Sequence, residues 1–536
     1  MNIAGNKKIF YAVLLFLLFI VLIAFPAVLA SCEKDETKYN NHIDLEENEM
    51  QEKTIDNSQL MPKYAPDGEV KLITAGENTG AYTPEWAASL IMMEVHLETA
   101  TPEGTFQSGV RVLDHCAEMG VNGIWLTPIY EKGPGGNGYG NIGPHTVEPA
   151  LTGTSDQDEG WAVVKWYIDE AHKRNIRIFL DIITWGTMEA SPLYAQNPKW
   201  FSGEAWGGKA FNWKNEEFKE WYISQAVENI VKTGADGYRA DCEPFTAGYG
   251  VFAEIRRRLL ERGRKVLIIA EGSSLHNEAF DFEQDGVLPY VTKGDPNADR
   301  GAQYNAPQRF YIDRLNIVDS VKSGEGIGSQ ELQQSSMGGR YRLYTHCVSN
   351  HDLHYSAVDR NRLALGYQAI FAPFIPLWYF GEEFNLRAEN TVFYFVPVDW
   401  GLLDGIENRQ FFEDIKKYIR IRLSYPEIFA YFPEDHRESN ICKVAVEGQP
   451  LQAYVRYAGN MGIIVVGNND AAGSRGEESF LVTVPFSEMG LDAYSDFTVT
   501  DLMGGNVVAS GKKEKTGTFA AEVKFRHIGV YLIEGR

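Results

Sequence analysis

Two stretches of this chain read as buried strands that end on an acid: Gly-Tyr-Arg-Ala-Asp ending at Asp241, and Ile-Ile-Ala-Glu ending at Glu271. Short apolar runs of this kind are expected for strands covered on both faces, and a carboxylate that ends such a strand is held at the rim of the sheet. A third acid, Asp352, closes Ser-Asn-His-Asp from Ser349. Two carboxyl groups that flank a glycosidic bond can cleave it without metal or cofactor. One, ionised, attacks the anomeric carbon and the other, protonated, donates to the leaving oxygen, which sets their separation at about 5–5.5 Å. The pair must hold different protonation states. Arg239 is therefore expected to keep Asp241 ionised, while Glu271, in a drier and less charged setting, keeps its proton. A single buried Asp-Arg pair is more often structural than catalytic, but three acids at strand ends together with His351 favour catalysis.

The elements that would carry these acids follow from hydrophobic periodicity. Apolar runs at 89–95, 123–126, 176–180, 266–270 and 374–380 read as buried strands. Between them lie helix-period stripes: Trp161, Val164, Ile168 and Ala171; Phe218, Tyr222, Ala226 and Ile230; and Val251, Ile255 and Leu259, with Arg256, Arg257 and Arg258 expected to face outward. Strand followed by helix, repeated, means an α/β fold with a parallel sheet, and the length favours a (β/α)8 TIM barrel over 76–433 with a short insertion, 186–215, after strand 3. Phe412, Ile415, Ile419 and Leu423 suggest the last barrel helix, ended by Pro426. From 434 to 536 the pattern changes to alternation with turn glycines, as expected for a C-terminal antiparallel β-sandwich domain.

Composition narrows the partners. The 536 residues carry a formal net charge of -23, so a polyanion such as nucleic acid is repelled and a neutral or cationic ligand fits better. Cys116, Cys242, Cys347 and Cys442 show no metal-binding spacing and read as buried free thiols. At the N-terminus, Lys7 and Lys8 precede an uncharged apolar run from Ile9 to Ala30, which reads as a signal sequence or a membrane anchor. Leu-Ala-Ser-Cys ending at Cys32 resembles the lipobox of bacterial lipoproteins. That resemblance implies that 1–31 is a cleaved lipoprotein signal, that Cys32 is lipidated, and that 32–75 is an acidic flexible tether. The acidic run from Glu33 to Glu36 extends the expectation to an exported, membrane-anchored protein at the cell surface.

From about Ala88 onward the chain resembles glycoside hydrolase family 13, the alpha-amylase family, in the order and spacing of several motifs. The resemblance implies Asp241 as nucleophile with Arg239 its cationic neighbour, Glu271 as general acid/base, and Asp352 beside His351 as the pair that grips sugar hydroxyls. It places Tyr139 under the sugar at the cleavage subsite and Asp181 as the third-strand acid that pairs with the arginine. Trp378 to Glu383 resembles the eighth-strand ending.

Two departures from the family pattern matter. Trp185 and Gly186 stand where the family carries an asparagine that binds calcium and a histidine that contacts the sugar, so calcium is not expected at the usual site, a calcium held elsewhere stays the alternative, and the reaction needs no organic cofactor. Trp185 either replaces the lost contact by stacking or is a packed core tryptophan. Pro244 and Phe245 replace a lysine and a histidine that bind the sugar on the leaving side. Within the insertion, Trp200, Phe201, Trp206, Phe211 and Trp213 form a cluster suited to wall an open groove, and Asn212 offers an amide to an unusual cation. The expected activity is a retaining alpha-glycosidase on alpha-glucans such as starch, dextrins or malto-oligosaccharides. The alternatives are a transglycosylase on the same scaffold and a non-catalytic glycan-binding or membrane-partner protein.

Overall fold

The computed structural model describes residues 84–133, 136–243, 246–271, 282–283, 318–319, 322, 345–347, 350–351, 366, 368–370, 375–387, 396–431, 436–448, 450–468 and 476–536. Cys32, Pro244, Phe245 and Asp352 lie outside these residues, as do the expected signal and tether segments. Among the described residues no helix is long and apolar enough to cross a membrane.

Eight strands build one parallel sheet: β1 (Met92–Val95), β2 (Gly123–Leu126), β3 (Arg177–Ile183), β4 (Gly237–Asp241), β5 (Leu267–Ala270), β6 (Phe282–Glu283), β7 (Thr345–Cys347) and β8 (Ile375–Tyr379). Their order is β6-β5-β4-β3-β2-β1-β8-β7, so consecutive strands are neighbours except β6 and β7, which stand at the two edges, and β8 returns to β1, which is the order of strands around a (β/α)8 barrel. Side chains alternate between the faces, as the two-residue period of a strand requires. Met92, Trp125, Phe179, Leu267, Ile269, Ile375 and Leu377 fill one face, closed beneath by Trp86 and Leu90. Met93, Ile124, Ile178, Leu180, Ile182, Ile268 and Ala270 meet the helices on the other.

Those helices are α1 (Phe106–Met119), α2 (Gln157–Lys173), α3 (Glu216–Thr233), α4 (Tyr249–Glu261) and, after β8, α5 (Ile406–Ser424). Their starts are fixed locally: Thr105 and Ser108 form a reciprocal cap on α1, and Asn215 accepts the Phe218 N–H at the start of α3. The stripe Trp161, Val164, Ile168 and Ala171 is buried on α2, and Phe218, Tyr222, Ala226 and Ile230 on α3. Each large apolar side chain buried this way stabilises the fold by about 1.5–3 kcal/mol. On α4 the expectation for the three arginines is corrected at one position. Arg257 and Arg258 pair outward with Glu254, Glu261 and Glu220, but Arg256 is buried, because its guanidinium turns back to donate to the Val266 carbonyl at 3.2 Å.

Between β3 and α3 the insertion forms a three-stranded antiparallel sheet of Gly186–Thr187, Gly208–Phe211 and Phe201–Ala205. Beyond α5 come β9 (Ile441–Lys443), β10 (Ala445–Glu447), β11 (Ala453–Ala458), β12 (Met461–Gly467), β13 (Glu478–Thr483), β14 (Asp496–Asp501), β15 (Asn506–Lys512), β16 (Thr518–Val523) and β17 (Ile528–Gly535). They make two antiparallel sheets, β9-β11-β12-β17-β14-β15 and β10-β13-β16, which share one core around Val455, Ile464, Phe480, Phe497, Phe519 and Ile533. This part is tied to α5, where the Tyr418 hydroxyl donates to the Ile528 carbonyl at 3.1 Å.

Candidate active site

Strand parity and register assemble the site. Glu94, Asp181, Arg239, Asp241 and Glu271 each follow by an even number of residues a side chain or glycine on the inner face, so all five are directed to the same side of the sheet. Arg239 is the register partner of Asp181 across β3 and β4, and Ala270 is the partner of Ala240 across β4 and β5. Asp241 and Glu271, one step further along, therefore stand side by side, and the Glu271 N–H donates to the Ala240 carbonyl at 3.1 Å. That close approach of β4 and β5 needs Gly237, where a Cβ would meet the Leu267 carbonyl oxygen at 1.8 Å.

Arg239 is the electrostatic centre. Its Nη1 donates to Asp241 Oδ1 at 2.8 Å and lies 3.3 Å from both oxygens of Asp181, while Nη2 stands 3.3 Å from Glu271 Oε2. The indole of Trp125 packs against the guanidinium at 4.8 Å and donates its N–H to Asp181 Oδ2 at 3.0 Å. Tyr139 gives its hydroxyl to the same Asp181 oxygen at 2.9 Å, and its ring stacks on His351 at 4.8 Å. Burial pushes Asp181 up to about 7 against the pull of Arg239. It also raises Asp241, where Arg239 again opposes and the negative Glu271 adds to the rise.

The expected contrast between the two acids is thus corrected. Asp241 is the drier one, with 8% of its side chain exposed against 34% for Glu271, and both share the one guanidinium. The reason lies in position: Asp241 is the last residue of β4, whereas Glu271 follows β5 and reaches the rim. Glu271 is held there by the backbone N–H of Cys242, which donates to Oε2 at 2.6 Å. Cys242 adopts a left-handed backbone (φ 57°) to do so and points its thiol at Asp241 Oδ2, 3.4 Å away. Cys116 and Cys442 are also free thiols, and of these three cysteines only Cys116 is buried; the Cys347 side chain lies outside the described ones.

Several residues that shape the site were not singled out from sequence. Glu94, fully buried within β1, bonds His351 Nδ1 through Oε1 at 2.5 Å, and its Oε2 has no hydrogen-bond partner among the described residues. An acid interrupting the apolar run 89–95 at the parity of Met92 was the available signal. Glu243 pins the turn after Asp241 by accepting the N–H groups of Ala247 and Gly248 at 2.7 and 2.8 Å, and the Thr184 hydroxyl donates to the Asp241 carbonyl at 2.6 Å.

Trp185 is 6% exposed and donates its indole N–H to the Tyr139 carbonyl at 3.2 Å, so it backs Tyr139 from behind. The aromatic cluster of the insertion does not wall a groove. Trp200, Phe201 and Phe211 are buried and Trp213 half-buried against Phe218 and Tyr222, because their strands fold back onto α3; Trp206 alone of the five is exposed. Asn212 spends its amide locally, on the Lys199 carbonyl and the Lys214 N–H. Among the described residues the one acid, histidine or cysteine grouping tight enough to ligate a cation is Asp241, Cys242 and Glu271, whose ligand atoms lie within 4.8 Å of one another. A cation there would have to compete with Arg239 for both acids.

Residues 74–200 match the family model for the catalytic domain of alpha-amylase. The chain is 22% identical over 340 residues to a malto-oligosyltrehalose trehalohydrolase of Deinococcus radiodurans, covering 58% of this chain and 54% of that protein. To a cyclomaltodextrinase of a Bacillus species it is 23% identical over 407 residues, covering 69% and 66%. The chain thus spans little more than half the length of the first of these relatives. Among solved structures, an alpha-amylase of Geobacillus thermoleovorans complexed with acarbose superposes with a TM-score of 0.61 at 15% identity, over 84% of this chain and 99% of that one. A maltogenic alpha-amylase of Thermotoga neapolitana gives 0.60 at 18% identity, over 83% and 98%. The fold is that of the alpha-amylases.

Proposed function

We propose that this chain is a retaining glycoside hydrolase that cleaves alpha-glucosidic bonds in starch, dextrins or malto-oligosaccharides through a covalent glycosyl-enzyme intermediate. The observation that carries the reading is the paired carboxylates: oxygens of Asp241 and Glu271 lie within 4.8 Å, with Arg239 bound to both. That spacing, between one oxygen of each acid, supports direct attack by one carboxylate over the wider separation that seats a water between the acids of an inverting enzyme. The hydrolase names of the relatives and the matched family model support the same class.

In the first step the Asp241 carboxylate attacks the anomeric carbon while Glu271 delivers a proton to the departing oxygen. In the second, Glu271 takes a proton from water, and that water displaces Asp241. Arg239 offsets part of the burial that disfavours the Asp241 anion, and Tyr139, which bonds Asp181 and stacks on His351, is assigned from sequence to the sugar at the cleavage subsite. Asp352, next to His351, is assigned to the sugar hydroxyls from sequence. No metal or organic cofactor enters these steps. We assign the N-terminus, from sequence, to a lipid anchor at Cys32 on an exported, cell-surface protein.

The test follows malto-oligosaccharide hydrolysis by proton NMR at early times. Retention requires that the new reducing end appear first as the alpha anomer; the beta anomer appearing first overturns it. Asp241→Asn should abolish turnover with the melting temperature preserved, and added acceptor sugar reports transglycosylation.

A further inference from the structure

The tip of the inserted sheet sets a large aromatic ring where turn chemistry and solvation both disfavour it. Ala205 pairs with Gly208, so Trp206 and Gly207 are the two central residues of the hairpin, at φ 45° and 79°. A two-residue turn with both φ positive favours Asn, Asp or Gly at its first position, since a side chain with a Cβ is crowded in that conformation. Trp206 is also 69% exposed, so packing does not account for it.

The ring is nevertheless held in place and joined to the pocket. It meets Trp185 edge to face, with centroids 5.7 Å apart and planes at 69°. Trp185 is bonded to the Tyr139 carbonyl, and Tyr139 in turn bonds Asp181 and stacks on His351. Trp206 is thus linked to the pocket by a ring contact to buried Trp185 and then by that residue's hydrogen bond to the Tyr139 backbone, and it offers solvent a flat apolar surface with one edge against its neighbour. A face of this kind suits the apolar face of a pyranose ring, and a neutral chain meets no repulsion from a protein of net charge -23.

We propose that Trp206 is a stacking platform for a sugar unit of the glucan outside the cleavage pocket, so that it favours longer chains over short ones. The proposal rests on the glycoside hydrolase reading above. A static surface tryptophan with no ligand would leave chain-length preference unchanged on substitution.

The test compares wild type with Trp206→Gly, which suits the positive φ and so should keep or raise the melting temperature. The ratio of kcat/KM for maltoheptaose over maltotriose should fall about tenfold, the size of one lost stacking contact. An unchanged ratio with active enzyme overturns the platform and leaves the hydrolase reading standing. Maltoheptaose quenching of tryptophan fluorescence, in Asp241→Asn with and without Trp206→Gly, reads binding without turnover. Quenching that is lost with Trp206 supports the platform even if wild type hydrolyses neither sugar, a result that would sink the hydrolase reading alone. Quenching that is absent, or equal in both variants, overturns the platform.

Discussion

His145 should make this protein acid-sensitive, and the size of the effect can be worked from its surroundings. The ring lies on the strand Asn141–Val147, 6% exposed, edge-on to Tyr222 at 4.6 Å and Trp221 at 5.4 Å. Its Nδ1 is 3.1 Å from the Asn229 amide nitrogen, and a nitrogen that accepts from an amide has no place for its own proton. Burial, with Lys232 adding to it, lowers its pKa from 6.5 to about 3. Below pH 6.5 the unfolded chain takes up a proton that the folded one refuses, so stability falls as the pH drops from 6.5 toward 3 and is unaffected above that window. Between pH 7 and pH 5 the loss is about 2 kcal/mol, or about 3 °C in melting temperature for a domain of this size. His96, lowered to about 4 by burial, acts in the same sense. Asp181, raised to about 7, acts oppositely, its stabilising proton being lost as the pH rises toward 7. The wild-type curve is therefore a sum, and the informative quantity is a difference. Calorimetry of wild type and His145→Gln at both pH values cancels the packing cost common to the two. Wild type should lose about 3 °C more than the variant between pH 7 and pH 5; equal losses would show that the imidazole is not held neutral.

Three further outcomes are expected. Glu94→Gln keeps the shape but removes the charge that orients His351; with about 1.5–3 kcal/mol at stake, kcat/KM should fall about 10- to 100-fold, and a wild-type value would separate the pair from the reaction. Chelator should leave activity intact, and a drop of more than about 5 °C in melting temperature would reveal a cation that contributes folding free energy. Mass spectrometry of the membrane form should find a lipid-bearing N-terminus at Cys32, with Cys32→Ser accumulating as precursor; a form that begins at Met1 with unmodified Cys32 would point to a signal anchor instead.

Periodicity and local motifs were enough to mark the strands that carry Asp181, Arg239, Asp241 and Glu271 and the buried stripes of α2 and α3, because a strand or helix face repeats within a few residues. The environments of those residues were not local. Glu94 and His351 meet across 257 positions of sequence, Arg239 divides itself among three acids on or just after three strands, and Arg256 turns inward to a carbonyl just before the strand that follows its helix. The same holds for the insertion, where five aromatic residues look alike in sequence and only the fold of their hairpin against α3 decides that four pack inward and Trp206 does not. Residue types and their spacing determine which chemistry is available. Burial and the sharing of charge, which set how each acid behaves, depend on distances between strands that close only when the sheet forms.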